Sequence, residues 1–332
     1  MKQEGGIMKK IAFEEHFATL RLMQMRGEMM GKMGMKINLD PAELKRTTDL
    51  ACDLEKRVAV MDECGIAIQV LQGGSNGLEG VEDLSEAAAF ATEFNNYMYE
   101  AVKKYPGRFE CLALLPMQDP EAAAKELKRC VNELGFKGAS ISGRTLVSKE
   151  FLDEEKFYPI WEAAGETGSL LYIHPTETFL DTTAMYKNCE VLNGPTWSWG
   201  VDTATYVLRF IFTGLFDRYP DVKLLVGHMG EMLPYLLWRM DNRWRIAKKD
   251  SRNQMVPSEY FKRNIYITMS GNLSQAAMDC ALEAVGSGHI LFAIDYPFES
   301  MQETVKCFEE MQLSEADREN IAFRNGENLL NI

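Results

Sequence analysis

Lys10-Ile11-Ala12-Phe13-Glu14-Glu15-His16-Phe17 reads as a short buried strand whose far end turns polar. Residues two apart in an extended strand share a face, so Glu14 and His16 project together from that end. A carboxylate and an imidazole held on one side of a rigid element form half of a metal site. Taken alone, the pair is equally a strand end that happens to be polar. The rest of the chain decides between the two.

The unit that this strand opens is repeated. Further apolar, strand-like runs fall at 66–71, 109–115, 136–141, 169–173, 222–226, 265–268 and 290–294. Helical stretches follow at 47–63, 84–104, 120–134, 154–166, 202–216, 231–246 and 273–285, and a last helical pair follows the final strand. Strands alternating with helices imply parallel crossovers, and eight such units imply an α/β fold of the closed (β/α)8 TIM-barrel type. A doubly wound open sheet is the alternative. It is weakened because no glycine-rich phosphate loop follows an early strand, Gly73-Gly74 being too little for a dinucleotide.

No linker interrupts the pattern, so residues 1–332 read as one barrel domain, with residues 1–8 as a disordered extension. Residues 18–46 and 176–200 read as long excursions able to fold over the barrel mouth. The first carries Met23, Met25, Met29, Met30, Met33 and Met35, for which adaptable apolar packing is a stronger reading than copper ligation.

Composition narrows the partners. Hydrophobic residues make up 46% and charged residues 26%, as in ordinary soluble globular proteins. A net charge of −13 argues against nucleic-acid binding, which needs a basic surface. No apolar run approaches the ~18 residues of a membrane span, and the N-terminus lacks the apolar core of a secretory signal. Seven scattered cysteines without a C-x-x-C pair suit a reducing cytoplasm.

Only four histidines occur, which makes each position informative. His16 closes the first strand, His174 the fifth and His228 the sixth, while Asp295 closes the eighth. The C-terminal strand ends form the catalytic face of such a barrel. A lone strand-end histidine is more often a satisfied structural residue; three of them with Glu14 and Asp295 reverse that expectation. His289, at the opposite end of the eighth strand, reads as structural. His228 and Glu231 are three apart, close enough to interact.

The donor set suits one divalent ion, Zn²⁺ or Mn²⁺, with Mg²⁺ favoured only if carboxylates dominate. Ser142-Gly143-Arg144 ends the fourth strand without a lysine that could bridge a second metal. Pro195-Thr196-Trp197-Ser198-Trp199-Gly200 places tryptophans in the second excursion, where they suit a flat aromatic substrate, ordinary packing or a subunit contact.

Phe13-Glu14-Glu15-His16-Phe17, Tyr172-Ile173-His174-Pro175, Gly227-His228-Met229-Gly230-Glu231 and Asp295-Tyr296-Pro297, in this order, resemble the amidohydrolase superfamily. Within it the chain is similar to the aminocarboxymuconate semialdehyde decarboxylase-like branch, most nearly the γ-resorcylate and 2,3-dihydroxybenzoate decarboxylases. Gly214-Leu215-Phe216-Asp217-Arg218-Tyr219-Pro220 adds to that likeness. Most of the superfamily carries His-x-His on the first strand; Glu14 in place of the first histidine is shared with the phenolic-acid decarboxylases.

The resemblance implies Glu14, His16, His174 and Asp295 as metal ligands, and His228 as a catalytic histidine supported by Glu231 and Arg239. It implies Trp199 as a ring contact and a homodimer or homotetramer as the assembly. The implied reaction is reversible, nonoxidative loss of CO₂ from a small aromatic carboxylic acid of the hydroxybenzoate type, through ring protonation. Asp295 is the expected proton donor and His228 the competing one. Two other readings stand beside it: a metal-dependent hydrolase of a small ester, lactone or amide, and a noncatalytic metal-containing binding protein.

Overall fold

The computed structural model describes residues 8–32, 40–73, 78–146, 148–176, 182–247 and 251–332. Eight strands run β1 (Lys10–His16), β2 (Ile66–Gln72), β3 (Phe109–Leu114), β4 (Gly138–Ile141), β5 (Leu170–Ile173), β6 (Lys223–Val226), β7 (Ile265–Thr268) and β8 (Ile290–Leu291). Each pairs in parallel with its neighbour in sequence order. A parallel bridge between Phe13 and Ala293 joins last to first, and Phe13 N donates to Phe292 O at 3.0 Å. The (β/α)8 barrel is closed.

The strands read as unbroken apolar runs because both faces are buried. Phe13, Val70, Leu112, Tyr172, Leu225 and Leu291 fill the lumen. Their sequence neighbours Ala12, Leu71, Ala113, Ile173, Val226 and Phe292 pack under the helices.

The helices are α1 (Leu20–Lys32), α2 (Pro41–Cys52), α3 (Leu54–Cys64), α4 (Leu84–Val102), α5 (Pro120–Leu134), α6 (Tyr158–Thr167), α7 (Ser198–Phe212), α8 (Leu215–Arg218), α9 (His228–Glu231), α10 (Leu233–Ala247), α11 (Pro257–Arg263), α12 (Gln275–Val285), α13 (Met301–Glu310), α14 (Glu315–Glu319) and α15 (Asn325–Leu330). Several starts are set by side-chain caps: Asp83 accepts from Ser85 and Glu86 N before α4, and Asp119 from Ala122 N before α5.

Several boundaries differ from expectation; the helix expected over 202–216 is two, α7 and α8, and the strands expected over 136–141 and 290–294 are the shorter β4 and β8. The helix expected over 47–63 is two, because Asp53 turns to φ −102, ψ 92 and caps α3 by accepting from Lys56 N. The first excursion is helical over α1, whose Met29 and Met30 bury against Leu146. Thus these two methionines pack, while Met33 and Met35 lie outside the described residues. The second excursion enters α7 at Ser198, earlier than 202. The helix expected from 231 starts at Leu233 as α10, because α9 is only a short left-handed turn: His228, Met229, Gly230, Glu231 and the following Met232 all have positive φ. Most of the expected N-terminal extension, residues 1–7, also lies outside the described residues.

The seven cysteines are free thiols. Among the described residues no helix is long and apolar enough to cross a membrane.

Candidate active site

Strand β1 does not deliver Glu14 by simple alternation. Ala12 faces the helices and Phe13 the lumen, so an unbroken strand would turn Glu14 outward. The β1–β2 register shifts between Ala12 and Glu15, and Glu14 takes φ 62. This bulge turns Glu14 into the lumen, and normal alternation then sends Glu15 out and His16 in. Glu15 accepts from Gln69 Nε2 at 3.0 Å and from Ile294 N at 3.1 Å, so it ties β1 to its neighbours on the outer side. Among the described residues, six of the nine non-glycine residues with positive φ, Glu14, His228, Met229, Glu231, Met232 and Asp295, lie at this mouth. Backbone strain is concentrated there, as functional sites often require.

Glu14 is 2% exposed. The Tyr172 and Ser270 hydroxyls donate to its carboxylate, and Thr268 Oγ1 donates to Oε2 at 2.7 Å. His228 Nε2 stands 3.4 Å from Glu14 Oε1 and 3.8 Å from Asp295 Oδ2, while His228 Nδ1 meets Glu231 Oε1 at 2.7 Å. His16 Nε2 lies 3.0 Å from Asp295 Oδ1, and the His16 and His174 rings meet edge-on with centroids 5.1 Å apart. Glu14, His16, His174, His228 and Asp295, from β1 and from the ends of β5, β6 and β8, are therefore clustered through pairwise contacts at the barrel mouth.

The charges are interdependent. Burial raises the Glu14 carboxyl above its usual range although His228 and the hydroxyl donors oppose it. Burial also works against charge on His228, but Glu14 and then Glu231 outweigh it and hold the imidazolium well above the ordinary histidine range. Burial alone would raise Asp295; hydrogen bonds to His16 and His228 reverse the sign and bring it to about 2. Burial first, and His16 next, lower His174 to about 3, so it is a neutral imidazole.

This donor set fits a divalent cation. His174 Nδ1 is engaged by Pro175 O at 2.6 Å, which leaves Nε2 as its free lone pair. His16 and Asp295 add a second nitrogen and an oxygen, the mixture that borderline ions take. Glu14 accepts three hydroxyl bonds of the about four a carboxylate offers, so one lone pair remains. Among the described residues no three such side chains are already gathered at ligating distance; the donors stand in pairs that share Asp295 and Glu14.

A protein-family model described as amidohydrolase matches residues 34–332. This chain belongs to the amidohydrolase family. The amidohydrolase is 38% identical to a gamma-resorcylate decarboxylase of Polaromonas sp., over 97% of this chain and 98% of the relative. Among solved structures it is similar to a dihydroxybenzoic acid decarboxylase of Polaromonas sp. with bound manganese and the inhibitor 2-nitroresorcinol, with a TM-score of 0.89, 36% identity and 97% of each chain covered. It is also similar to a 5-carboxyvanillate decarboxylase of Novosphingobium aromaticivorans complexed with manganese and 4-hydroxy-3-methoxy-5-nitrobenzoic acid, with a TM-score of 0.90, 31% identity, and 98% of this chain and 97% of the other covered.

The structure gathers Glu14, His16, His174, His228, Glu231 and Asp295. It does not bring Arg239 to His228. In the amidohydrolase, α10 buries Leu233, Pro234, Leu237 and Asp241, and Arg239 falls off that stripe onto the exposed side, in a groove with Leu208 and Phe212. Trp199 sits half-buried in the first turn of α7, its indole Nε1 buried with no partner. His289, at the opposite end, is bonded to Ile265 O at 2.9 Å and stacked on Tyr266.

Sequence reading missed Tyr172, Thr268 and Ser270, which orient Glu14. Their signal was a polar residue on the lumen side of an otherwise apolar strand. It also missed Gly227. A Cβ there would stand 2.7 Å from Glu14 Oε1 and 3.2 Å from both Oε2 and the Tyr172 hydroxyl. Gly227 has φ −67, which alanine adopts freely, so Gly227→Ala acts through space alone. We expect it to fold and to lose about 10- to 100-fold in metal affinity, the scale seen when a ligand's support is disturbed. Wild-type affinity in a metal titration of that variant would show that Glu14 needs no such clearance.

Proposed function

We propose that this amidohydrolase is a carboxy-lyase: a metal-dependent, nonoxidative decarboxylase of a hydroxybenzoate-type aromatic acid. The observation that carries this is the convergence of two histidines and a carboxylate, backed by a His228–Glu231 pair, at the mouth of a barrel whose nearly full-length relatives bear decarboxylase names. Glu14, His16, His174 and Asp295 are our metal ligands, with one Mn²⁺ or Zn²⁺ as the ion and Mg²⁺ as the weaker fit to a nitrogen-containing set. When bound, the ion supplies a Lewis acid that polarises an ortho-hydroxy carboxylate.

The chain's own residues do the rest. His16 and His174 stand edge-on with ring centroids 5.1 Å apart, and Pro175 O at His174 Nδ1 leaves that ring's Nε2 to ligate. CO₂ can leave an arene only after the carbon bearing it gains a proton; the C–C electron pair then returns to the ring. We assign Asp295 to deliver that proton and His228, within 3.8 Å, to resupply it. Glu231 orients His228 through Nδ1. Trp199 is our ring contact. The partner is a small aromatic carboxylic acid. A homodimer or homotetramer, a cytoplasmic location and a single barrel domain complete the proposal.

The test is a panel of hydroxybenzoates assayed with Mn²⁺ or Zn²⁺ beside a panel of lactones, esters and amides. Loss of phenolic-acid absorbance with matching CO₂ release is the expected result. Hydrolysis without CO₂ release would replace this reading with the hydrolase one.

A further inference from the structure

The metal quadrant uses β1 and the ends of β5 to β8. On the remaining arc of the mouth, strands β2 and β4 each carry a buried polar side chain that the chemistry above does not use and that has no partner. Gln72 is the last residue of β2 and is fully buried, yet both its Oε1 and its Nε2 lack a partner. Ser140 on β4 is likewise fully buried with an unpartnered Oγ.

Both face the lumen. Val70, two before Gln72, belongs to the lumen core, whereas Leu71 packs under the helices. A Cβ on the following Gly73 would strike the Phe94 ring of α4 at 2.6 Å, so the chain there turns outward and Gln72 inward. Gln72 pairs in register with His16, and Ser140 with Tyr172, whose hydroxyl holds Glu14. Parallel register partners lie on the same face of the sheet, so the two orphans share the lumen with the metal-binding groups.

Buried polar groups are almost always paired, and leaving three atoms unpaired costs stability unless something arrives to satisfy them. The hydroxyls of Thr268, Ser270 and Tyr172 are by contrast spent on Glu14. We propose that Gln72, aided by Ser140, forms a neutral polar subsite that receives a phenolic hydroxyl on the substrate ring. This rests on the hydroxybenzoate reading and adds the substituent recognised. A carboxamide both donates and accepts, as a phenol does. It offers no positive charge, so a second carboxylate at that position would be buried without compensation. The subsite therefore selects a ring with one carboxylate and an additional hydroxyl.

Two inert probes differ by that single hydroxyl: 2-nitroresorcinol and 2-nitrophenol, titrated into the Mn²⁺-loaded protein and followed by absorbance. Wild type should bind 2-nitroresorcinol about tenfold tighter, the value of one well-placed hydrogen bond. Gln72→Leu should bring the ratio close to one while leaving 2-nitrophenol affinity unchanged, and Ser140→Ala should shift it partway. Gln72→Met, which keeps the side-chain length, serves if the leucine variant does not fold. Equal binding of both probes by wild type, or a ratio that survives in the Gln72 variant, overturns the subsite and leaves the pair as a water site. Absence of CO₂ release with the probe contrast intact would sink the decarboxylase reading alone. CO₂ release without the contrast would sink the subsite alone.

Discussion

Asp295→Asn is expected to keep its metal and to lose turnover by about 10²- to 10⁴-fold, the range that a positioned acid–base group supplies. The amide preserves the shape of the side chain and can still offer an oxygen beside His16 Nε2, now 3.0 Å from Oδ1. It cannot carry a proton between His228 and a ring carbon. In the resting site burial would raise Asp295, but its two histidine partners bring it to about 2, while Glu14 and Glu231 overcome the burial of His228 and hold it charged. The proton to be moved is therefore assigned to His228 at the start; Glu14, nearer at 3.4 Å, is engaged by three hydroxyl donors, and Asp295 Oδ2 at 3.8 Å is the acceptor we assign to pass it on. Metal analysis and single-turnover CO₂ release on the same sample separate the two effects. Normal turnover would remove Asp295 from the proton path and move the donor role to His228. Loss of the metal would instead make Asp295 chiefly a ligand.

Metal removal should have an effect as large. Dialysis against a chelator is expected to abolish CO₂ release, and Mn²⁺ should restore it. His174→Ala should reproduce the loss irreversibly. With Nδ1 held by Pro175 O at 2.6 Å, the ring has one nitrogen to give, and burial keeps it unprotonated and available. Removing a direct ligand should weaken metal binding by more than the about 10- to 100-fold that follows loss of a supporting group. Elemental analysis checks this; a full metal complement in the variant would exclude His174 from the coordination set.

The barrel was legible because each strand is a compact apolar run and each return is helical, with glycine stops after some of the helices. Gly65 and Gly168 end α3 and α6 in the left-handed conformation, as their positions suggested. Residues 20–32 were not legible as a helix. The segment mixes methionine with Gly27 and has no acidic residue in its first turn, so neither periodicity nor capping announced it. At the site, period-two reasoning reached Glu14 and His16, but the reason was incomplete. Glu14 faces the lumen through a register shift and a positive φ, and neither leaves a mark on an alternating pattern. Arg239 was carried by likeness alone, and it lies on the exposed face of α10.

The seam that closes the barrel has a thermodynamic consequence. Ile294 N reaches Glu15 Oε1 across 279 positions of chain, and on either side of that junction stand His16 and Asp295. An ion shared by those two can bind only once the last strand has docked against the first, so the unfolded chain competes poorly for it. Its binding free energy then accrues to the native state alone and grows with the logarithm of free ion, to about 4 kcal/mol at a thousandfold excess over Kd. The cation would act as a clasp on the finished barrel, and the melting temperature of the protein would report how much of it the surroundings supply.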